Sequence, residues 1–364
     1  MIISRTPFRI SFFGGGTDYP SWYYKHGGAV LATTIDKYCY ITCRYLPPFH
    51  EHRYSVVYSK MELCNTLDAI KHPAVREVLR FLKVERGIEL HTDADLPGRS
   101  GMGSSSAFTV GLLHAVHALQ GRMIGKQQLA RESIHVEQEI LRDAVGSQDQ
   151  VQAAYGGLNH VSFHPRGEIS VRAVTILPER MLALESHLML FYTGIRRTAA
   201  NVASTFVHDL DRRIQHLERM KDMVEEGLAI LNENRDIAEF GGLMHRAWQA
   251  KCALSSAVSN NEVDGMYARA RGAGALGGKL TGAGGGGFLL LFVPPEKQES
   301  VRRELSDFIN VPFKFDFSGS QIIHYAPEED YSEIEKSRSL QTLKPFKELE
   351  LEPVDSPQAK GSIL

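Results

Sequence analysis

The most constraining feature of this chain is a stretch rich in glycine and serine at residues 96–107, LPGRSGMGSSSA, with three glycines and four serines. An apolar run follows at once over residues 108–119, and its composition predicts a buried helix. Glycine lets the backbone turn tightly and bring its N–H groups close to a ligand. A loop of this kind before a helix is typical of a phosphate site, since free N–H groups and the positive end of the helix dipole point at the anion.

The same stretch also has a plainer interpretation. Glycine and serine are common in surface loops, and serine often caps a helix. The stretch is not a Walker A loop, because no Gly-Lys-Ser/Thr follows at the required spacing. Its hydroxyls can also ligate a cation. Taken alone, the stretch leaves a phosphate site and an ordinary loop equally open.

Two further glycine runs occur along the chain. Residues 14–18 (GGGTD) follow a predicted strand at 2–13, and residues 272–287 precede a predicted strand at 288–293. Each run alone is typical of a turn, in which glycine and aspartate are favoured. All three loops are bounded by strand or helix signals, and a shared anionic ligand would explain the three together.

Composition and charge exclude several classes of partner. The net charge is −2, so there is no electrostatic case for nucleic acid or for an anionic membrane. The apolar run at 288–293 is far too short to span a bilayer. The start of the chain has no signal-peptide pattern, which predicts a cytoplasmic protein. We expect its cysteines to be reduced structural thiols, because none forms a CxxC pair: Cys39, Cys43, Cys64 and Cys252.

The length of 364 residues favours two domains. A connector at residues 177–187 marks the expected boundary, between an N-terminal domain at 1–180 and a C-terminal domain at 187–325. The Lys/Glu/Pro-rich segment at 327–364 shows weak periodicity and alternating charge, which predicts an extended or partly disordered tail.

Acidic residues between the loops are candidates for chemistry. Asp149 lies near a predicted helix start, which is also a favourable place for an ordinary surface acid. Glu137 and Glu139 lie in a predicted helix at 126–141, where charges are usually solvated. Their two-residue spacing places them on different faces, so at most one of them points where Asp149 points.

Three segments resemble, in order and spacing, the sequence motifs of the GHMP kinases: residues 7–18, 97–106 and 279–288. The resemblance covers residues 2–325 and leaves the tail out. It implies an α+β, two-layer fold with an N-terminal ATP-binding domain of the ribosomal-S5-like type and a C-terminal ferredoxin-like domain. The active site is then expected between the two domains.

The resemblance implies a site for ATP and Mg²⁺. Mg²⁺ takes hard oxygen ligands and often only one or two from protein. By resemblance these are Glu137 and Ser105, or one of its neighbours Ser104 and Ser106. Glu137 is preferred to Glu139 because it precedes Asp149 by the interval found in sugar kinases of the family. The residues that the resemblance assigns to ATP are Pro97, Gly98, Arg99, Ser100, Gly101, Met102, Gly103, Ser104, Ser105 and Ser106.

The resemblance also implies catalytic and substrate-binding residues. Asp149 matches the family's catalytic aspartate, which accepts the proton of the attacking hydroxyl. Arg9 matches a cationic position of the first motif, where a guanidinium keeps a neighbouring carboxylate ionised and stabilises developing negative charge. An ordinary surface role for Arg197 remains open. The residues assigned to the substrate are Gly15, Gly16, Thr17, Asp18, Arg197, Gly284 and Gly285.

Within the family, the chain most resembles the kinases that convert D-glycero-D-manno-heptose 7-phosphate to the 1,7-bisphosphate at its anomeric hydroxyl. The residues that carry this resemblance are 14–18, 148–150 with 156–157, 192–194 with Arg197, and 282–288. The central loop departs from them, since residues 97–100 read Pro-Gly-Arg-Ser where they carry Pro-Ser-Gly-Ser or Pro-Ala-Gly-Ser. The alternatives are another anomeric kinase, for galactose, fucose, arabinose or mannose, and a catalytically silent regulator that binds ATP and sugar. A homodimer is a further expectation, because several family members are dimers.

Overall fold

The computed structural model describes residues 1–47, 49–195, 214–233, 235–326 and 331–339. They form a nine-stranded sheet, a four-stranded sheet and helices packed against both. The predicted α+β class is confirmed. No helix within these described ranges is long and apolar enough to cross a membrane.

Thirteen strands are present in the described residues. In chain order they are β1 (Ile2–Phe13), β2 (Gly28–Tyr45), β3 (Tyr54–Val57), β4 (Met61–Cys64), β5 (Ile88–Ala94), β6 (Asn159–Phe163), β7 (Ile169–Ala173), β8 (Leu188–Tyr192), β9 (Gly277–Leu280), β10 (Phe288–Phe292), β11 (Ile309–Asn310), β12 (Phe315–Asp316) and β13 (Gln321–Tyr325).

The helices in the same part of the chain are α1 (Pro20–His26), α2 (Pro73–Phe81), α3 (Ser104–Leu119), α4 (Lys126–His135), α5 (Gln148–Tyr155), α6 (Pro178–Ser186), α7 (Ile214–Asn232), α8 (Ala238–Cys252), α9 (Asn261–Gly272), α10 (Gln298–Glu304) and α11 (Ser332–Ser339). One turn of π-helix, Val136–Ile140, continues directly from α4.

The long strand β2 organises the nine-stranded sheet. It pairs antiparallel with β1, β5, β6 and β12. β13 extends the sheet beyond β1, and β3 and β4 extend it beyond β5. Arg9 lies opposite Thr34 in the β1–β2 register, close to the end of β1 that leads into the first glycine loop.

Helix α3 is buried because nearly all of its faces are apolar or small. It packs on β1 and β2. Gly111 permits this close approach: a Cβ there would lie 2.9 Å from Thr6 Oγ1, and the Ser4 hydroxyl donates to the Gly111 carbonyl at 2.8 Å. The predicted helix at 108–119 is confirmed and begins earlier, at Ser104. The helix N-terminus therefore follows the glycine stretch immediately.

The four-stranded sheet has the order β11-β8-β10-β9 and is antiparallel throughout. The predicted strand at 288–293 is confirmed as β10, which pairs with both β8 and β9. Leu289 and Leu291 pack into one apolar cluster, and Phe288, Leu290 and Phe292 pack into the other. Burial on both faces explains why this segment is a continuous apolar run.

Residues 315–326 return to the first sheet. β12 pairs with β2 and β13 pairs with β1, and the backbone of Ala326 exchanges hydrogen bonds with Met1. Residues 315–325, expected in the C-terminal domain at 187–325, thus belong by strand pairing to the sheet of the N-terminal half. The boundary at 177–187 stays a prediction. Within the predicted tail at 327–364, residues 332–339 form helix α11, where an extended or partly disordered segment was expected. Residues 327–330 and 340–364 lie outside the described part.

Ending the chain after Phe313 should abolish cooperative unfolding, because it removes β12, β13 and the buried Phe315. Ending it after Ala326 leaves every strand of the first sheet in place and should keep a sharp transition. Thermal melts of the two truncations, compared with the full chain, test this. A sharp, unshifted melt for the chain that ends after Phe313 would contradict the assignment of residues 315–325 to the first sheet.

Candidate active site

A single cleft brings together residues from all three glycine loops. They are the first loop (residues 14–18), the central loop (residues 96–103) and the third loop (residues 282–287). Strand β1 and helices α3, α5 and α8 also contribute side chains to the cleft. The sequence prediction that three separated glycine runs serve one site therefore has a geometric basis.

The central and third loops meet backbone to backbone. A Cβ on Gly101 would lie 2.6 Å from the Thr281 carbonyl oxygen, and one on Gly282 would lie 2.7 Å from Gly101 Cα. A Cβ on Gly287 would lie 2.0 Å from the Ser100 carbonyl oxygen. These distances leave no room for a side chain, so the two loops require glycine where they touch.

The first loop is held by Thr17. Its buried hydroxyl donates to the carbonyls of Gly14 and Ala29, at 2.8 and 2.9 Å, and accepts from Ala29 N at 3.1 Å. Thr17 does not line the cleft, whereas Gly15, Gly16 and Asp18 do. Thr17 was expected to bind substrate, but its hydroxyl is already used to fix the loop.

The N-terminus of α3 faces the cleft without a side-chain cap. Gly103 precedes it with φ +73°, and its first turn carries no acidic residue. Ser104, Ser105 and Ser106 line the cleft. Uncapped N–H groups at a helix N-terminus attract an anion.

Arg9 and Asp149 form the central ion pair of the cleft. Arg9 Nε and Nη2 donate to the two carboxylate oxygens of Asp149 at 2.6 and 2.7 Å, and Nη1 donates to the Gly101 carbonyl at 2.7 Å. Arg9 is buried, while the Asp149 side chain is 24% exposed to solvent. Each carboxylate oxygen retains a lone pair, so Asp149 can still accept a proton from a group in the cleft.

Asp18 is buried at the turn of the first loop. Its carboxylate accepts from Gly16 N at 2.9 Å and from Gln148 N at 3.3 Å. Burial raises the pKa of Asp18, the Gly16 N–H opposes this, and the nearby Asp149 charge raises it further. Asp18 therefore joins the first loop to the start of α5, which carries Asp149.

Glu137 lies behind the N-terminus of α3, on the π-helical turn that follows α4. It is buried, and Ser106 Oγ donates to its Oε2 at 2.9 Å. The Gln150 amide donates to the same oxygen. Burial raises the pKa of Glu137 to about 7, against the effect of the nearby hydroxyls of Thr109 and Ser106. The second oxygen, Oε1, is buried without a hydrogen-bond partner among the described residues.

The oxygen atoms around Glu137 fit Mg²⁺. A buried carboxylate oxygen without a hydrogen-bond partner lies beside serine hydroxyls there, and together they are hard oxygen ligands. Ser106, not Ser105, contacts Glu137. Ser105 is exposed at the cleft, and Ser104 Oγ accepts from Arg99 N at 3.2 Å. Within the described residues no three His, Cys, Asp or Glu side chains converge, so a metal here would rely on few protein ligands.

The remaining predicted residues divide between the cleft and its support. Arg99, Gly101, Gly103 and Gly284 line the cleft. Gly285 is held behind it, since its N–H donates to the Val258 carbonyl at 2.7 Å. Arg197 lies outside the described residues. The predicted residues that support the central loop without lining the cleft are Pro97, Gly98, Ser100 and Met102.

Sequence reasoning missed two buried lysines of the cleft, Lys251 on α8 and Lys279 on β9. Lys251 Nζ donates to the Gly282 carbonyl, and Lys279 Nζ donates to the Phe12 carbonyl at 3.0 Å. Burial lowers the pKa of both, and for Lys251 to about 8. Lys279 lies in the third motif and could have been noticed there, but no sequence signal marks Lys251.

Two family models match the chain. "GHMP kinases N terminal domain" matches residues 68–157, and "GHMP kinases C terminal" matches residues 223–311. The D-glycero-alpha-D-manno-heptose 7-phosphate kinase of Campylobacter jejuni is 31% identical over 316 residues, which cover 84% of this chain and 93% of that protein.

Solved structures share the fold. A D-glycero-D-manno-heptose 1-phosphate kinase from Bacteriodes thetaiotaomicron has a TM-score of 0.74 at 23% identity, covering 90% of this chain and 100% of the other. Lactococcus lactis galactokinase complexed with galactose has a TM-score of 0.68 at 16% identity, covering 88% and 94% of the two chains. At these identities the likeness is one of fold.

Replacing Glu137 by Gln should make the metal-free protein more stable near pH 8 by up to about 3 kcal/mol, with little difference near pH 5. The carboxyl pKa rises from 4.5 to about 7 on folding, and one pKa unit corresponds to about 1.4 kcal/mol. The folded state thus binds the extra proton, and the wild type loses stability as pH rises through this window. The free energy of unfolding in urea, without Mg²⁺, measures the effect.

The matched control is Glu139→Gln, two residues away on the exposed face of the same turn. It should give the same small difference from wild type at every pH. If the difference in free energy of unfolding between Glu137→Gln and the wild type does not change with pH, the pKa of Glu137 is not raised by folding and the prediction is wrong.

Proposed function

The chain belongs to the GHMP kinases, and on that premise we propose that it transfers the γ-phosphoryl group of ATP to the anomeric hydroxyl of a sugar phosphate. The substrate we propose is D-glycero-D-manno-heptose 7-phosphate, converted to the 1,7-bisphosphate. A relative with 31% identity that carries the name of such a kinase supports this choice. The residue roles below are part of the same proposal.

The proposal depends above all on the position of Asp149 against the start of α3. A Cβ on Gly103, the residue before α3, would lie 3.3 Å from Asp149 Oδ2. A proton acceptor therefore borders directly on an uncapped helix N-terminus that suits phosphate. Phosphoryl transfer needs a positioned nucleophile beside a stabilised phosphoryl group. Asp149 would activate the nucleophile, and the N–H groups of the helix N-terminus would stabilise the phosphoryl group.

Asp149 would accept the proton of the attacking hydroxyl through a lone pair that Arg9 leaves free. Arg9 grips both oxygens of Asp149 and the Gly101 carbonyl, so it fixes the base against the central loop. Because a guanidinium stays charged, Arg9 would stabilise negative charge on the phosphoryl oxygens and would not act as an acid.

The nucleotide phosphates would bind at the central loop and the first turn of α3, through backbone N–H groups and the hydroxyls of Ser104 and Ser105. Glu137 with Ser105 or Ser106 would hold Mg²⁺, which supplies positive charge to the phosphates when bound. The contact between Ser106 and Glu137 supports Ser106 for that role.

The sugar would bind beside Asp18, Gly15, Gly16 and Gly284, which line the cleft near Asp149. Thr17, Gly285, Pro97, Gly98, Ser100 and Met102 would act indirectly, by fixing the loops. A contact of Arg197 with the substrate phosphate stays a prediction, as do the homodimer and the cytoplasmic location.

Asp149→Asn should lower kcat by about 10²–10⁴-fold, since that is the usual contribution of a positioned general base. ADP release measured over a panel of sugars and sugar phosphates, including the heptose 7-phosphate, tests substrate and mechanism together. We expect turnover by the wild type with at least one anomeric hydroxyl, and most efficiently with the heptose phosphate.

Asp307→Asn is the matched control. Arg269 also grips Asp307 through both carboxylate oxygens, at 2.8 and 2.9 Å, but this pair does not line the cleft. Its kcat should stay at the wild-type level. Normal turnover in Asp149→Asn would refute the assigned base, and absence of turnover with every sugar would favour a regulator that binds ATP and sugar without catalysis.

A further inference from the structure

Lys251 is a buried cation that the mechanism above does not use. It lies in the last turn of α8, is 7% exposed and lines the cleft. Its ammonium donates to the Gly282 carbonyl of the third loop. No carboxylate of the described residues lies within ion-pair distance of it. An ammonium has three donors, so this one can accept further partners from the cleft.

Lys279 adds a second buried ammonium to the same cleft. It lies on β9 and is 5% exposed, and its Nζ donates to the Phe12 carbonyl at 3.0 Å. It too has no carboxylate partner in the described part of the chain. Besides burial, Lys251, Arg9 and Asp18 influence the pKa of Lys279, and Arg9, Asp18 and Asp149 influence that of Lys251, so these groups form one cluster.

In this cluster the basic side chains, Arg9, Lys251 and Lys279, outnumber the carboxylates, Asp18 and Asp149. Both carboxylate oxygens of Asp149 already accept hydrogen bonds from Arg9 in a bidentate ion pair. Asp18 is satisfied by two backbone N–H groups. Two lysines, Lys251 and Lys279, therefore face one carboxylate, Asp18, that already has other partners. Burial of a cation without a counter-charge is unfavourable, and an anion entering the cleft would relieve it.

We propose that Lys251 binds a phosphoryl oxygen of a ligand in this cleft, with Lys279 contributing to the positive field. The oxygen belongs either to a phosphate that the sugar carries or to the phosphoryl group in transfer. Both sources are consistent with the contact to Gly282, because Gly282 packs on Gly101, whose carbonyl also holds Arg9. The choice of sugar phosphate as ligand rests on the proposed function, whereas the anion site itself does not.

Lys251→Met keeps the length and bulk of the side chain and removes the charge. In the metal-free, nucleotide-free protein, calorimetric titration with inorganic phosphate should give a dissociation constant at least about tenfold above the wild-type value, the usual effect of losing a hydrogen bond to a charged group. Lys126→Met is the matched control. Lys126 also holds backbone carbonyls, those of Tyr155 and Ser318, but lies outside the cleft. Its phosphate affinity should not change.

Steady-state kinetics then distinguish the two sources of the phosphoryl oxygen. If Lys251 holds the phosphate of the sugar, Lys251→Met raises KM for the sugar phosphate about tenfold and leaves KM for the unphosphorylated sugar unchanged. If it holds the phosphoryl group in transfer, kcat falls with both sugars while their KM values stay the same. In either case Lys251→Arg should recover part of the loss, since it restores the positive charge.

Phosphate affinity and kinetics equal to those of Lys126→Met would overturn the proposal and leave Lys251 as an anchor of the third loop. If Lys251→Met does not fold, the site can be tested by NMR on the wild type labelled with ¹⁵N at lysine Nζ and titrated with inorganic phosphate. The Lys251 resonance is assigned as the one that is missing from the spectrum of Lys251→Arg. A resonance unmoved by saturating inorganic phosphate would equally refute the site. Failure of the wild type to phosphorylate any sugar would refute the proposed function and leave the phosphate titration to decide on Lys251.

Discussion

Backbone contact between the central and third loops is the constraint on which the rest of the cleft depends. Gly101 and Gly282 touch where neither can carry a side chain. The carbonyl of Gly101 receives Arg9, and the carbonyl of Gly282 receives Lys251. Two cations from distant parts of the chain are thus positioned by one pair of glycines. Any substitution that separates the loops would move both cations relative to Asp149.

The site contains several ionisable side chains that are largely buried. Burial affects the free energy of those with a charged partner differently from that of those without one. Arg9 and Asp149 satisfy each other, so their burial is compensated. Glu137 and Lys251 have only neutral hydrogen-bond partners. Burial raises the pKa of Glu137 and lowers that of Lys251, so in both cases it favours the uncharged form. Such groups destabilise the empty protein and gain most from a ligand of opposite charge. The proposed Mg²⁺ and phosphoryl group are ligands of that kind.

The sequence allowed the three loops, Arg9, Asp149 and Glu137 to be singled out because glycine runs and a family resemblance leave local signals. The cleft joins the loops, Arg9 and Asp149, while the assigned roles stay predictions. Lys251 left no signal, since a lysine near a helix end usually lies in water, and its burial depends on the third loop packing over it. The pairing of β12 with β2 left no signal either, because a strand of two residues does not show which strand it joins.

The departure of the central loop from the heptose-kinase pattern bears on nucleotide binding more than on sugar choice. Arg99 occupies a left-handed backbone conformation, with φ +60°, near the place where those relatives carry glycine. A side chain in that region costs about 1 kcal/mol relative to glycine. Arg99 lines the cleft on the loop that leads into α3, and its N–H donates to Ser104 Oγ. We therefore expect Arg99 to act on the phosphates proposed at the helix N-terminus, while the sugar would lie against the first loop and Asp149.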